Sequence, residues 1–335
     1  MKRIAFVIVL FLAFGSFSAT GQDIHYSQFY NSPLTLNPAM TGRTNGDFRI
    51  NLNYRNQWLG VADGHSTYVT PSLSFDMPFS VFKNDALGAG VMVMNDQSSG
   101  GSLSNVTAML SGAYHKSVGS KGSHHISLGI QAGYVQRQLN QQDLNFASQI
   151  GEDYQFNESL PSGESFENND IQYMDMQVGL MWTSTFSDKF SAYAGGSMFH
   201  VTEPQKNFSV NGELSLPRRW VAHGGMDIGV SDKVDLLPSV IFMTQNQARE
   251  INAGLSGAYA ISDKTNFYLG GYYRVNDAAI AYSAIEWNNI KFGISYDATV
   301  SDLQNSGGSL EFSLTYVRRT PDVPDVEPKM YCPRF

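Results

Sequence analysis

Few residues in this chain have the type and spacing that covalent or metal chemistry needs. His65 and Ser66 pair a base with a nucleophile, but neighbours on a strand face opposite sides, and a catalytic triad is defined by geometry. They read as polar residues at a loop edge. His124-His125 has the same opposed geometry, with no Cys or carboxylate at metal-ligand spacing beside it, so no zinc site is predicted. Asp143, Glu152, Asp153, Glu158, Glu164, Glu167 and Asp170 crowd the stretch 138–170 without the Asp-x-Asp-x-Asp-Gly spacing of a calcium loop. That stretch reads as a solvated acidic loop. Gly88-Ala89-Gly90 and Gly195-Gly196 are not followed by the helix start that a phosphate cradle needs, and read as ordinary strand glycines. Asn105-Val106-Thr107 has the form of a glycosylation acceptor but falls mid-strand. Cys332 is the single cysteine, which excludes a disulfide within the chain. This inventory predicts no enzyme, no metal and no cofactor.

The elements that would position these residues are strands. From residue 46 onward the dominant period is two. Phe48, Ile50, Leu52 and Tyr54 alternate with Arg49, Asn51, Asn53 and Arg55; Ile126, Leu128, Ile130, Ala132 and Tyr134 alternate with Ser127, Gly129, Gln131 and Gly133. Ile251 to Tyr259 and Leu310 to Tyr316 repeat the pattern. Each segment therefore has one apolar face and one polar or small face. The segments are about ten residues long, the length a tilted strand needs to cross hydrocarbon. Several apolar faces end in aromatics (Tyr54 with Trp58, Tyr134, Tyr259, Tyr296), as an interfacial girdle requires. No internal apolar run reaches the eighteen or so residues of a membrane helix.

The prediction is an all-β, transmembrane antiparallel barrel of about fourteen strands: 46–58, 65–77, 86–95, 104–116, 124–137, 171–185, 190–201, 218–229, 234–245, 250–261, 266–274, 278–286, 290–297 and 308–318. Connections alternate short and long. The tripeptide Ser-Asp-Lys recurs at 187–189, 231–233 and 262–264, always between an even and an odd strand, whereas the long connections 138–170 and 202–217 fall between odd and even strands. Barrels carry short turns in the periplasm and long loops outside, which orients the chain. Arg49, Arg55, Gln131, Gln136 and Arg137 are expected to face the lumen.

Three further segments complete the organisation. Lys2-Arg3, the apolar run Ile4 to Phe14 and the small residues Ala19-Thr20-Gly21 form an export leader, 1–21. Residues 22–45, punctuated by Pro33, Pro38 and Gly42, lack alternation and are expected to plug the lumen or line the periplasmic mouth. Residues 319–335, with four prolines, are expected to form an extended periplasmic tail. The net charge of −8 argues against a nucleic-acid partner.

The mature start, Gln22 to Tyr30 followed by Leu36-Asn37-Pro38-Ala39-Met40-Thr41-Gly42, resembles the PorP/SprF family of the Bacteroidota type IX secretion and gliding machinery. His200-Val201-Thr202-Glu203-Pro204, Leu216-Pro217-Arg218-Arg219, Ser295-Tyr296-Asp297 and the ending Cys332-Pro333-Arg334-Phe335 are similar as well. The resemblance implies an outer-membrane barrel, embedded in outer-membrane lipid, working with type IX components. Its cargo would be secreted proteins or a surface adhesin. The long loops would meet the exported protein, and Cys332, Pro333, Arg334 and Phe335 would dock a periplasmic partner. Asn37, Pro38 and Ala39 also resemble an element of the fatty-acid transporter barrels. That sustains a rival expectation, a solute transporter or porin gated by a plug.

Overall fold

The computed structural model describes residues 23–60, 67–81, 85–119, 123–140, 144, 146–151, 153–163, 169–205, 215–301 and 304–319. The leader 1–21, His65-Ser66, Asp143, Glu152, Glu164, Glu167 and the tail with Cys332, Pro333, Arg334 and Phe335 lie outside these residues.

Fourteen strands alternate up and down: β1 (Phe48–Gln57), β2 (Tyr68–Ser80), β3 (Ala86–Ser98), β4 (Leu103–Val118), β5 (His124–Leu139), β6 (Asp170–Ser187), β7 (Phe190–Phe199), β8 (Arg219–Gly229), β9 (Val234–Gln245), β10 (Ala248–Ser262), β11 (Thr265–Arg274), β12 (Ala278–Trp287), β13 (Ile290–Thr299) and β14 (Ser309–Arg318). Each pairs antiparallel with its neighbours, and β14 returns to β1 with Phe48 opposite Arg318 and Gln57 opposite Ser309. Closure gives every strand backbone partners on both sides, which hydrocarbon demands because it offers none.

Local chemistry explains the turns. In all three Ser-Asp-Lys turns the serine Oγ accepts a hydrogen bond from the lysine backbone N–H, at 3.3, 3.2 and 3.4 Å. That side chain caps the bend, the known use of serine in turns. Asn246, Asn276 and Asn288 take φ values of 53°, 60° and 52° in other tight hairpins, a conformation asparagine tolerates. Two of these, at Asn246 and Asn276, make the β9–β10 and β11–β12 connections as short as the turns at the opposite end. The alternation of short and long connections is therefore broken over β9–β12. The end carrying 58–67, 140–169, 200–218 and 300–308 is called the loop end below, and the other the turn end.

The faces separate as the period demands. Arg49, Asn51, Asn53 and Arg55 are buried in the lumen, while Leu52 and Tyr54 between them are 44% and 40% exposed on the outside. Leu110, Leu128, Leu180 and Leu269 are likewise exposed, a surface that is stable only in lipid. Outward aromatics form two belts, with Tyr54, Tyr134, Trp220 and Tyr296 towards the loop end and Trp182, Tyr259 and Trp287 towards the turn end. Gln136 corrects the sequence reading. Val135 takes the inward position and Gln136 lies on the outer side, donating to Asp170 at 2.9 Å.

Candidate functional site

The lumen is occupied. Residues 23–47 precede β1, and from Tyr26 to Thr44 all but Thr35 are buried. Three single-turn helices, Phe29–Asn31, Pro33–Leu36 and Pro38–Met40, fold this stretch across the barrel. Its contacts run from the loop end at Asp23, through the middle of the wall, to the turn end where β1 begins.

At the loop end, Asp23 exchanges two hydrogen bonds with Gln245, each 2.9 Å. The His200 ring lies between two carboxylates, Asp23 on Nε2 and Asp175 at 2.8 Å on Nδ1. Burial pulls the His200 pKa down, but these hydrogen bonds outweigh it and hold the pKa up at about 9. Burial alone would raise Asp23, yet the bond from His200 leaves it at about 2. The pair is therefore charged at neutral pH. Arg219 donates to the Ile24 carbonyl at 2.8 Å.

One turn further in, the Glu311 carboxylate accepts the consecutive backbone N–H groups of Ser27 and Gln28, at 2.8 and 2.9 Å. Arg55 bridges Glu311 (3.0 Å) and Asp297 (3.1 Å), Arg274 reaches Asp297 at 2.8 Å, and the Ser27 hydroxyl donates to Asp297 at 2.5 Å. Two arginines and two carboxylates thus sit buried around one serine. Such a cluster is stable only with every partner in place. Gln28 and Asn31 extend the network to Ser295 and Ser313.

The Asn37-Pro38-Ala39 element touches the opposite wall. Asn37 Oδ1 accepts from Ala39 N at 2.9 Å, and its Nδ2 donates to the Leu180 and Gly196 carbonyls at 3.1 and 3.3 Å and to His223 Nε2 at 3.0 Å. The wall here is built of glycine. A Cβ at Gly179 would lie 1.9 Å from Asn37 Oδ1, one at Gly129 2.2 Å from Ala39 N, and one at Gly88 2.0 Å from Thr41 O. Absence of side chains on β3, β5 and β6 opens a seat for backbone, a recognised use of strand glycine. Beyond it His115 donates to Thr41 O at 2.8 Å, Asp76 accepts from Gly42 N at 2.7 Å, and Arg49 grips Asp76 at 2.7 and 3.0 Å. Arg43, fully buried, donates to Ser127 and Thr183.

Around Phe29 and Tyr30 the contacts with β8, β9, β11 and β12 are apolar. Phe29 and Tyr30 pack with Val221, Leu237, Ile241, Tyr272, Ile280 and Tyr282 in one cluster. The Tyr30 ring lies 5.3 Å from Tyr272 and 5.2 Å from Tyr282, spacings at which aromatic rings attract.

The structure separates His124 from His125: the first bonds Ser184 at 2.5 Å, while the second is buried in the lumen. Sequence reasoning passed over the glycines. Gly88 and Gly195 read as ordinary strand residues, yet Gly88 backs the seat, and a Cβ at Gly195 would meet His223 and Asn37. The usable signal was a glycine at an inward position of the alternation. The motifs behind the family resemblance also converge here. His200 holds Asp23, Arg219 holds Ile24, and Ser295 and Asp297 hold Gln28 and Ser27.

The family described as type IX secretion system membrane protein PorP/SprF matches residues 18–316. The chain belongs to the PorP/SprF family. No curated protein matches this PorP/SprF chain. Among solved structures it is similar to the Ralstonia pickettii toluene transporter TbuX, with 12% identity, coverage of 86% of this chain and 93% of that one, and a TM-score of 0.51. It is also similar to a TodX deltaS2S3 mutant monoaromatic hydrocarbon channel, with 9% identity, coverage of 87% and 94%, and a TM-score of 0.51. At these identities the likeness establishes the fold, an outer-membrane β-barrel.

Proposed function

We propose that this PorP/SprF chain is a non-enzymatic component of type IX protein secretion that acts as a closed barrel. The leader 1–21 exports it, the turn end faces the periplasm, and the loop end faces the cell surface. The long loops, 138–170 and 202–217, meet an exported protein or adhesin. The tail, ending in Cys332, Pro333, Arg334 and Phe335, docks a periplasmic component of the machinery. Residues 22–45, with Asn37, Pro38 and Ala39 in the glycine seat, act as a fixed plug.

The observation that carries this reading is the filled lumen. Buried ion pairs, a glycine seat and an aromatic cluster hold the segment on all sides. That supports a scaffold whose working surfaces are its two ends. The solute-transporter alternative is favoured by the barrel likeness to TbuX and requires the same segment to leave its seat.

Deleting the gene in its own organism and profiling proteins of the medium and cell surface separates the two. Loss of one or more exported proteins, with solute uptake intact, is the expected outcome. An unchanged exported set with impaired uptake would favour the transporter. Truncation after Val317 should leave an inserted barrel but stop secretion; normal secretion would remove the docking role of the tail.

A further inference from the structure

The barrel is closed across the hydrocarbon, but its rim at the loop end is stepped, most of all at β6. Pairing with β7 starts at Val178, opposite Met198, and runs from there towards the turn end. Beyond it Val201 N–H donates to Met176 O at 3.0 Å. From there β6 continues to Asp170 with β5 as its one strand neighbour among the described residues. Backbone groups of a strand point alternately to its two sides. Asn169 O accepts from Leu139 N–H of β5, whereas Met176 O faces the β7 side, so the even-numbered residues between them turn away from β5. The N–H and C=O groups of Gln172 and Met174 therefore form an open edge. It stops at Met176, whose N–H takes Asp175 Oδ1 at 2.9 Å.

This edge is preformed. Tyr173, on the inner side, packs against Leu34, Met92, Met109 and Val135. On the outer side Met174 is 65% exposed and stands opposite Tyr134 of the aromatic belt, so Gln172 and Asp170 rise above the membrane interface. Gln136 and Gln172 donate to the Asp170 carboxylate at 2.9 and 3.0 Å, with no cation against it among the described residues. The stretch 138–170 holds seven carboxylates and no lysine, arginine or histidine. A strand edge takes an added strand through backbone hydrogen bonds, and alternate side chains give the specificity. Here Met174 matches an apolar side chain, and two residues along on the same face Gln172 with Asp170 matches a lysine or arginine. A second copy of this edge would set like charges against each other, which disfavours self-pairing.

We propose that this edge of β6 takes an extended segment of the exported protein as an added strand, one that carries an apolar residue and a lysine or arginine two positions apart. The occupant rests on the secretion reading. What is added is the means of holding it: backbone pairing at β6, with the acidic stretch before that strand steering the cationic segment towards it.

The test is fluorescence anisotropy of a labelled peptide, Thr-Val-Thr-Lys-Thr-Val-Thr-Lys, titrated with the full chain in phosphatidylcholine nanodiscs. Saturable binding above that of empty nanodiscs is expected. Methylating one of the two alternating sets of peptide nitrogens should abolish it, and methylating the other should not, because only one edge of the peptide faces β6. Met174→Pro should weaken binding about tenfold. Proline there removes an N–H that faces the open side, so the ladder to β5 keeps its bonds. Asp170→Lys should shift preference to the peptide with glutamate in place of lysine. Heat-modifiable migration shows that each variant barrel is intact. No saturable binding, equal binding of the two methylated peptides, or binding untouched by both variants would overturn the proposal. In the organism, Met174→Pro should deplete the surface proteins that deleting the gene removes. Depletion by the deletion but not by Met174→Pro refutes the edge and leaves the secretion reading standing. A deletion that depletes none fails the secretion reading and the occupant with it, even where the peptide binds.

Discussion

The two sides of the lumen wall hold the same short segment by opposite means. Strands β1, β13 and β14, with Arg274 of β11, present buried arginines, carboxylates and serines to Ser27, Gln28 and Asn31. Strands β8, β9, β11 and β12 present Val221, Leu237, Ile241, Tyr272 and Tyr282 to Phe29 and Tyr30. The polar side is directional. Each backbone N–H and side chain has one place to go, so it sets the register of the segment. The apolar side is tolerant of direction and supplies burial. A barrel interior built only the first way resembles a channel lining, and one built only the second way is a soluble core turned inside out. This molecule combines them around one segment.

The comparison can be broken from either side. Arg55→Met strands Glu311 and removes one of two cations from Asp297, so unfolding in a urea titration should lose about 3–5 kcal/mol. Phe29→Ala empties the opposite cluster and should lose about 3 kcal/mol without freeing residue 27 from the wall. If Arg55→Met proves no worse than an exposed Lys→Met control, the polar side is not specifying anything. Gly179→Ala places a methyl group in the seat of Asn37. It should lose about 1–3 kcal/mol and raise protease cleavage within 23–44; unchanged cleavage would mean that the seat adjusts freely.

The smallest effect is a pH dependence at Asp23. His200 is raised to about 9 from 6.5, so its contribution is full below pH 6.5 and disappears as pH rises through 9. Asp23 is lowered to about 2, so its contribution is full above pH 3.8 and disappears as pH falls through 2. Labelling of an Ile24→Cys variant, taken relative to a free thiol at the same pH because the thiolate is the reacting form, should stay slow between pH 4 and 6.5 and quicken towards pH 9. His200→Gln should abolish the rise, and a rise that persists would assign it elsewhere.

The barrel itself was legible in the sequence. A membrane strand must alternate over its whole length, so the period-two segments, the Ser-Asp-Lys turns and the strand number read directly. Both hairpins at Asn246 and Asn276 were placed, but the expected alternation of short and long connections failed there, because each closes in a tight left-handed turn at the loop end. The first strand after a long loop was displaced, with β2 beginning at Tyr68 and running to Ser80, because alternation alone does not mark where pairing starts. The seat was not legible. Arg49 and Arg55 read as lumen polar residues, but nothing local links Arg55 to Ser27, Asp297 and Glu311. Complementarity between Asn37 and Gly179, more than a hundred residues apart, is tertiary information.

The most direct measurement is conductance of the purified protein in planar bilayers, comparing the full chain with a deletion of residues 23–44. A segment held on all sides predicts a silent full-length barrel and steady, open-channel current from the deletion. Steady current from the full chain, equal to that of the deletion, would contradict the claim that this segment closes the lumen.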